Sequence, residues 1–285
     1  MTDNATTLPA RIERLHAAGA DADREEARTV FAALRDELSS GRVRAATPDD
    51  TTPCGWRVNT WVKQGILVGF RCGENVSFAA ADPEVPFLDK DTLPLKPLGV
   101  SSGVRLVPGG SSIRDGAYVG SGVICMPPMF INIGAYVDAG TLVDSHALVG
   151  SCAQVGARVH VSAGAQIGGV LEPVGALPVI IEDDVLVGGS TGIYEGIVVK
   201  AGAVIAAGTV VTGSTPLYDL PKQQIIRASR GQPLVIPEGA VVVPGTRPVT
   251  TAPGREWGLA LATPVIVKYR DDKTNTGTEL EDWLR

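Results

Sequence analysis

Aromatic residues are scarce: Phe, Trp and Tyr make up only 5% of the 285 residues. A core without large rings must be filled by small aliphatic side chains, which argues for many short strands and tight turns and against a helical bundle. Histidine is scarcer still, limited to His16, His146 and His160. The last two occupy different positions of the repeat described below and His16 lies in another segment, so a three-histidine zinc site is disfavoured. Cys54, Cys72, Cys125 and Cys152 follow no disulfide or metal spacing; Cys125 and Cys152 are expected to pack as small residues, and a reducing cytoplasm fits. Positive charge is also short. The net charge of −6 gives no reason to expect nucleic acid. No apolar run approaches the ~20 residues of a membrane span, and Met1–Ala10 lacks the layout of a signal peptide.

What the chain has in abundance is glycine (34) and proline (20), within a composition that is 44% hydrophobic. Most of it serves one repeat. From Ile113 a branched or apolar residue recurs every six positions: Val119, Cys125, Ile131, Val137, Val143, Val149, Val155, Val161 and Ile167. Four places after each comes a mostly small residue: Ala117, Val123, Met129, Ala135, Thr141, Ala147, Ala153, Val159, Ala165 and Leu171. The pattern resumes at Ile181 and runs through Val187, Ile193, Val199, Ile205 and Val211, with two further hexads opened by Ile236 and Val242. A period of six with two inward positions specifies a parallel β-helix of hexapeptide repeats. Three hexads make one triangular coil, giving about six coils that rise about 4.7–4.9 Å each. Glycines such as Gly116, Gly134 and Gly164 supply corner conformations that a Cβ resists. A β-sandwich would not hold such a register.

Two interruptions stand out. In Pro173–Ile180 eight residues stand where six are due, and Leu217–Val235 is a longer departure carrying Lys222, Arg227 and Arg230. Long loops in compact domains are often functional. Before the repeat, Ile12 and Leu15, then Ala27, Val30, Phe31, Leu34 and Leu38, recur at helical spacing, with Asp21 or Asp23 as cap of the second helix and Gly41 as its stop. His16 there reads as a surface or packing residue. The second half of Trp56–Arg71 reads as a strand, although Val58–Lys63 also suits a helical turn, and Leu88–Pro97 reads as a connecting loop. The expected division is an N-terminal helical or α+β domain over 1–100, a β-helix over 101–247 with a loop at 217–235, and a C-terminal segment over 248–285. In that segment Pro264–Tyr269 reads as a strand and Thr278–Arg285 as a closing helix.

A purely structural solenoid predicts a monotonous outer face, whereas the outward positions here are varied. An acyltransferase that uses a groove between neighbouring solenoids for a coenzyme A thioester fits better. The run Gly134–Gly150, GAYVDAGTLVDSHALVG, and the segment ending in Leu171–Glu172–Pro173 resemble the tetrahydrodipicolinate N-succinyltransferase family. So do Trp61–Arg71, Gly103–Pro108, Ala240–Gly245 and Pro264–Arg285, so the resemblance extends over most of the chain. It implies a left-handed β-helix, a homotrimer with active sites between subunits, succinyl-CoA as co-substrate with no permanently bound cofactor, and a role in lysine and diaminopimelate biosynthesis. Acetyl-CoA on the same or a related amine is the alternative donor.

The resemblance also assigns residues. Asp144 matches the family residue that binds and activates the substrate amine, and its place after inward Val143 projects it outward. An exposed turn aspartate is the plain alternative, Asp138 sits equivalently one hexad earlier, and His146 is a rival base. Arg105 matches the arginine that holds a substrate carboxylate, for which a guanidinium is suited by its bidentate grip. Many family members carry a further catalytic glutamate where this chain has Gly192; the neighbouring Glu195 is expected as a secondary catalytic group. Counting hexads puts Asp144 and Glu195 on different faces, nearly three coils and on the order of 12 Å apart. Such a pair would need an adjacent subunit. Ala207 and Gly208, in a glycine-containing turn, and Lys222 are expected to contact the coenzyme.

Overall fold

The computed structural model describes residues 7–78, 87–229 and 231–270. The expected closing helix Thr278–Arg285 and the side chain of Arg230 lie outside this set. The hexads fold into two-residue strands, each pairing in parallel with strands one coil before and after it. Leu142–Val143, for instance, lies between Ile124–Cys125 and His160–Val161. Three walls result. Wall 1 stacks Ser112–Ile113, Phe130–Ile131, Leu148–Val149, Gln166–Ile167, Gly192–Ile193 and Val210–Val211. Wall 2 stacks Tyr118–Val119, Tyr136–Val137, Gln154–Val155, Ile180–Ile181, Val198–Val199 and Val235–Ile236. Wall 3 starts at Arg105–Leu106 and continues through Ile124–Cys125, Leu142–Val143, His160–Val161, Leu186–Val187 and Val204–Ile205 into the long strand Ala240–Pro248.

The inward column from Ile113 to Ile167 is buried throughout, and so are its small partners from Ala117 to Ala165. Buried threonine hydroxyls are satisfied within the turns: Thr141 Oγ1 donates to the Gly156 carbonyl at 2.8 Å and Thr209 Oγ1 to the Ala206 carbonyl at 2.7 Å. At most corners the third residue after the inward position takes positive φ. Glycine holds many of these corners, but His146 (φ 61°), Cys152 (φ 69°) and Ser190 (φ 54°) occupy it too, at about 1 kcal/mol or more each.

The pattern slips one hexad earlier than its spacing suggests. Val170 packs against the solenoid interior, whereas Leu171 packs among the N-terminal helices. Gln154 pairs with Ile180, 26 residues on, where Tyr136 pairs with Gln154 at the regular 18. The difference is 8, so these residues are a pure insertion that replaces no strand. The second departure is not a simple loop. Leu217–Asp219 and Gln224–Ile226 form an antiparallel hairpin, whose first strand lies parallel to Ala260–Tyr269. Asp219 anchors it, accepting from Tyr269 Oη at 2.8 Å and Gln224 Nε2 at 3.0 Å. Burial alone would raise this carboxyl, but those hydrogen bonds, with one from the Lys222 amide, hold it below the usual carboxylate range. The expected strand at Pro264–Tyr269 is the end of Ala260–Tyr269, which runs antiparallel to Ala240–Pro248.

Three helices form the N-terminal unit: α1 (Leu8–Ala18), α2 (Arg24–Ser39) and α3 (Thr60–Cys72). Asp23 caps α2, accepting from the Glu26 amide at 2.7 Å. The strand reading of the second half of Trp56–Arg71 is corrected: that half is helical, in α3, and only Trp56–Val58 at the start is strand. Its β-branched and aromatic composition is overridden by packing. Val62 and Ile66 lie against α1 and α2, and Gly65 and Gly69 let Leu34 and Phe31 come close; a Cβ at Gly69 would stand 2.3 Å from Phe31 Cε2. Within Leu88–Pro97, too, the first residues are strand, since Phe87–Lys90 pairs with Asn75–Phe78.

These helices cover wall 2 and its flanks. Arg44 lies 3.7 Å over the Tyr136 ring and donates to Gln154 Oε1 at 2.9 Å, while Trp56 Nε1 donates to Glu182 at 2.9 Å. Ile133 and Cys152 project from solenoid corners into the helical core. Cys152 thus packs outside the solenoid and Cys125 inside it; burial pushes both thiols up to about 12. Lys63 of α3 is fully buried and donates to the Ala176 carbonyl of the insertion at 2.5 Å. Burial lowers its pKa. The first interruption therefore clasps the helices to the solenoid.

Candidate active site

With wall 2 covered, the edge where wall 3 turns into wall 1 stays open. Its turns comprise 126–129, 144–147, 162–165, 188–191 and 206–209. Asp144 lies here, half-buried. Its Oδ1 accepts from the Ser145 amide at 2.7 Å and its Oδ2 lies 4.0 Å from His160 Nε2. The first contact is a feature of the repeat: Asn132 and Asp138 accept from their following amides at 2.9 and 2.7 Å. The second sets Asp144 apart. Asp138 instead lies on the edge between walls 2 and 3, where its charge acts on Arg44.

His160 was not singled out from the sequence, yet the coil ruler reaches it. Leu142 and His160 are register partners, so this imidazole stacks one strand above the residue pair that precedes Asp144. A carboxylate beside a histidine can take and pass on a proton. His146 lies two residues beyond Asp144, exposed at its left-handed corner. It borders a shallow depression of about 410 Å³ on wall 1, with Phe130, Leu148 and Gln166 as floor.

Other expected residues fall along the same edge or beside it. Arg105 is exposed in the first strand of wall 3, two strands below Leu142, or about 9–10 Å along the axis. Ala207 and Gly208 form the exposed corner of the same edge three coils above Asp144. The Gly208 amide is used by the Gly189 carbonyl. Lys222 sits in the hairpin turn with Nζ 4.2 Å from the centroid of the Tyr269 ring, and Arg227 is exposed just after that hairpin.

Glu195 is not among them. It lies on the edge between walls 1 and 2, exposed, and its Oε2 accepts from the Gly213 amide at 2.8 Å, which ties two successive corners together. Because the insertion takes no strand position, seven strands separate it from Asp144, or two and one-third coils and about 11 Å along the axis. This shortens the coil count drawn from the sequence and keeps the two carboxylates on different edges. Both interruptions of the repeat also depart from the Glu195 edge, although the hairpin of the second folds onto the top of the wall 3 sheet. The Gly192 position has a physical reason of its own: a Cβ there would stand 2.5 Å from Cε2 of Tyr194.

Residues 7–72 match the family model described as tetrahydrodipicolinate N-succinyltransferase N-terminal, and residues 178–213 match the hexapeptide repeat of succinyl-transferase. A protein from Rhodopseudomonas palustris (strain BisA53) is 38% identical over 270 residues, covering 93% of this chain and 92% of its own length. One from Paramagnetospirillum magneticum (strain AMB-1) is 39% identical over 266 residues, 91% of this chain and 90% of its own. A third, from Dechloromonas aromatica (strain RCB), is 35% identical over 285 residues and spans 98% of both chains. All three carry the name 2,3,4,5-tetrahydropyridine-2,6-dicarboxylate N-succinyltransferase.

Proposed function

The chain belongs to the tetrahydrodipicolinate N-succinyltransferase family, and from that premise we propose that it moves the succinyl group of succinyl-CoA to the amino group of ring-opened tetrahydrodipicolinate, a step of lysine and diaminopimelate biosynthesis. The observation that carries the site assignment is Asp144 beside His160 on the edge that the helices leave open. Asp144 takes a proton from the acceptor ammonium, and the freed nitrogen forms a bond to the thioester carbonyl carbon. The tetrahedral oxyanion collapses and the C–S bond breaks; the departing coenzyme thiolate takes the second proton of the nitrogen, and Asp144 passes the first to solvent. Backbone N–H groups of the corners supply hydrogen bonds to the oxyanion.

Arg105 holds a carboxylate of the acceptor, since the 9–10 Å interval is about the span of an extended dicarboxylate plus a guanidinium. The Ala207–Gly208 corner lines the path of the coenzyme arm, and Lys222 reaches its anionic groups. Glu195 serves as a secondary group, across a subunit boundary, because its own chain holds it on another edge. That boundary belongs to a homotrimer of left-handed coils. Wall 3 supports this with a row of half-buried outward side chains, Ile124, Leu142, Leu186 and Val204, that no other element covers among the described residues. Succinyl-CoA acts as co-substrate, and four free, buried cysteines suit a reducing cytoplasm.

A thiol-release assay tests the reading, with 2-aminopimelate as acceptor and succinyl-CoA or acetyl-CoA as donor. Release with succinyl-CoA, dependent on acceptor, is expected. Release with acetyl-CoA alone would reassign the donor, and none with either would overturn the enzyme reading.

A further inference from the structure

Wall 1 carries a structural feature that the reaction above does not use. The Tyr194 ring leaves the corner after Ile193 and folds back over the outer face of the wall, across two strands. A Cβ on Gly168 would lie 2.8 Å from its Cδ1, and one on Gly192 would lie 2.5 Å from Cε2 and 2.8 Å from the hydroxyl oxygen. Neither glycine has positive φ. Backbone conformation therefore does not require them; the close approach of this ring does, at Gly192 in its strand and at Gly168 in the corner one coil below, where the Ile193 carbonyl also comes close. Both are buried under it, while Tyr194 itself stays half-exposed.

The ring position is thus built in. The hydroxyl lies over Gly192, toward the open edge, and makes no hydrogen bond among the described residues. Directly below, Gln166 is the register partner of Gly192, and its Nε2 reaches the His146 and Gly164 carbonyls at 3.4 and 3.3 Å. Wall 1 therefore runs from an apolar floor, Phe130 and Leu148, to an amide and then a phenol. Along the axis Gly192 stands two strands above Leu148, the strand that the Asp144 turn leads into. That interval is about 9–10 Å, too long for one hydrogen bond to reach the reacting nitrogen.

We propose that the Tyr194 hydroxyl, seated on Gly168 and Gly192, is a specificity group that donates a hydrogen bond to a substrate carboxylate remote from the reacting amine. The inference rests on the succinyl-transfer reading. A remote carboxylate has two sources, the far end of the acceptor and the free end of the succinyl group, and the phenol serves either by the same chemistry.

The test separates them. Tyr194→Phe keeps the ring and the platform and removes only the donor. Binding of 2-aminopimelate and of succinyl-CoA is measured separately by calorimetry, and KM and kcat by thiol release. One of the two ligands should weaken about tenfold or more in Kd and KM, while the other and kcat stay within about threefold. Gly192→Ala, which retains the hydroxyl but drives the ring off its seat, should weaken the same ligand. If both ligands bind Tyr194→Phe within about twofold of wild type, or if kcat alone falls, the assignment is wrong. Wild-type binding without turnover would defeat the transfer reading instead, and the binding comparison would still decide this one.

Discussion

Asp144→Asn separates chemistry from architecture, because the repeat supplies its own reference. Asn132 already occupies the same turn position and accepts from the Ile133 amide at 2.9 Å, against 2.7 Å for Asp144 and the Ser145 amide. An asparagine is therefore native to this corner, and its Oδ1 can keep the bond. Exchanging a charged for a neutral acceptor at a half-exposed site should cost about 0.5–1 kcal/mol of stability. The catalytic cost is of another order. The replacement cannot take the ammonium proton, and loss of a positioned base removes about 10²–10⁴-fold in kcat. Asp138→Asn, with the same local bond at 2.7 Å but on the edge between walls 2 and 3, should leave kcat within about threefold. Thiol release gives the rates, and thermal unfolding with size-exclusion chromatography reports the fold. Near wild-type turnover in Asp144→Asn, or equal losses in the two variants, would refute the assignment.

Further expectations follow from other contacts. Arg105→Met should raise KM for 2-aminopimelate by about tenfold with little change in kcat, as expected for a carboxylate grip. Gly69→Ala should lower the denaturation midpoint: helix propensity favours alanine by about 1 kcal/mol, but a fully packed Phe31 ring 2.3 Å away must move, at about 1–3 kcal/mol or more. Asp91, beside the Arg28 guanidinium, is held at about 2, so its contribution is present above the unfolded carboxylate range and lost as pH falls from about 4 toward 2. Asp91→Asn should flatten the acid limb of a pH–stability curve over that window.

Much of the solenoid could be read from the chain because a triangular coil repeats one chemical demand every few residues. Ile113 through Ile167 state it openly, and the ruler they define also places His160 beside Asp144. What escaped the reading depends on contacts between distant segments. Trp56–Arg71 has strand-like composition and becomes α3 because Leu34 and Phe31 fill the space over Gly65 and Gly69. Leu217–Val235 hides a hairpin whose partner strand lies 47 residues on, Tyr218 pairing with Val265 and Asp219 with Ile266. Tyr194 gave no periodic signal at all. Its trace in the sequence is a pair of glycines, Gly168 and Gly192, that share no turn conformation.

The division of the edges leads to a last prediction. Asp144 lies where wall 3 meets wall 1, whereas Glu195 lies where wall 1 meets wall 2. One chain therefore does not bring these groups together across its own wall. A ring of copies can, if the open edge of each meets the other edge of the next, as in the trimer proposed above. Two inactive variants should then rescue each other. Take Asp144→Asn and Glu195→Gln, each first shown to be impaired. After unfolding and co-refolding at equal amounts, about one quarter of the interfaces should pair an intact Asp144 with an intact Glu195. Turnover near that fraction of wild type is the expected result. Mixed trimers with no recovered turnover would place both groups in sites built from a single chain, and the division of labour between edges would fall.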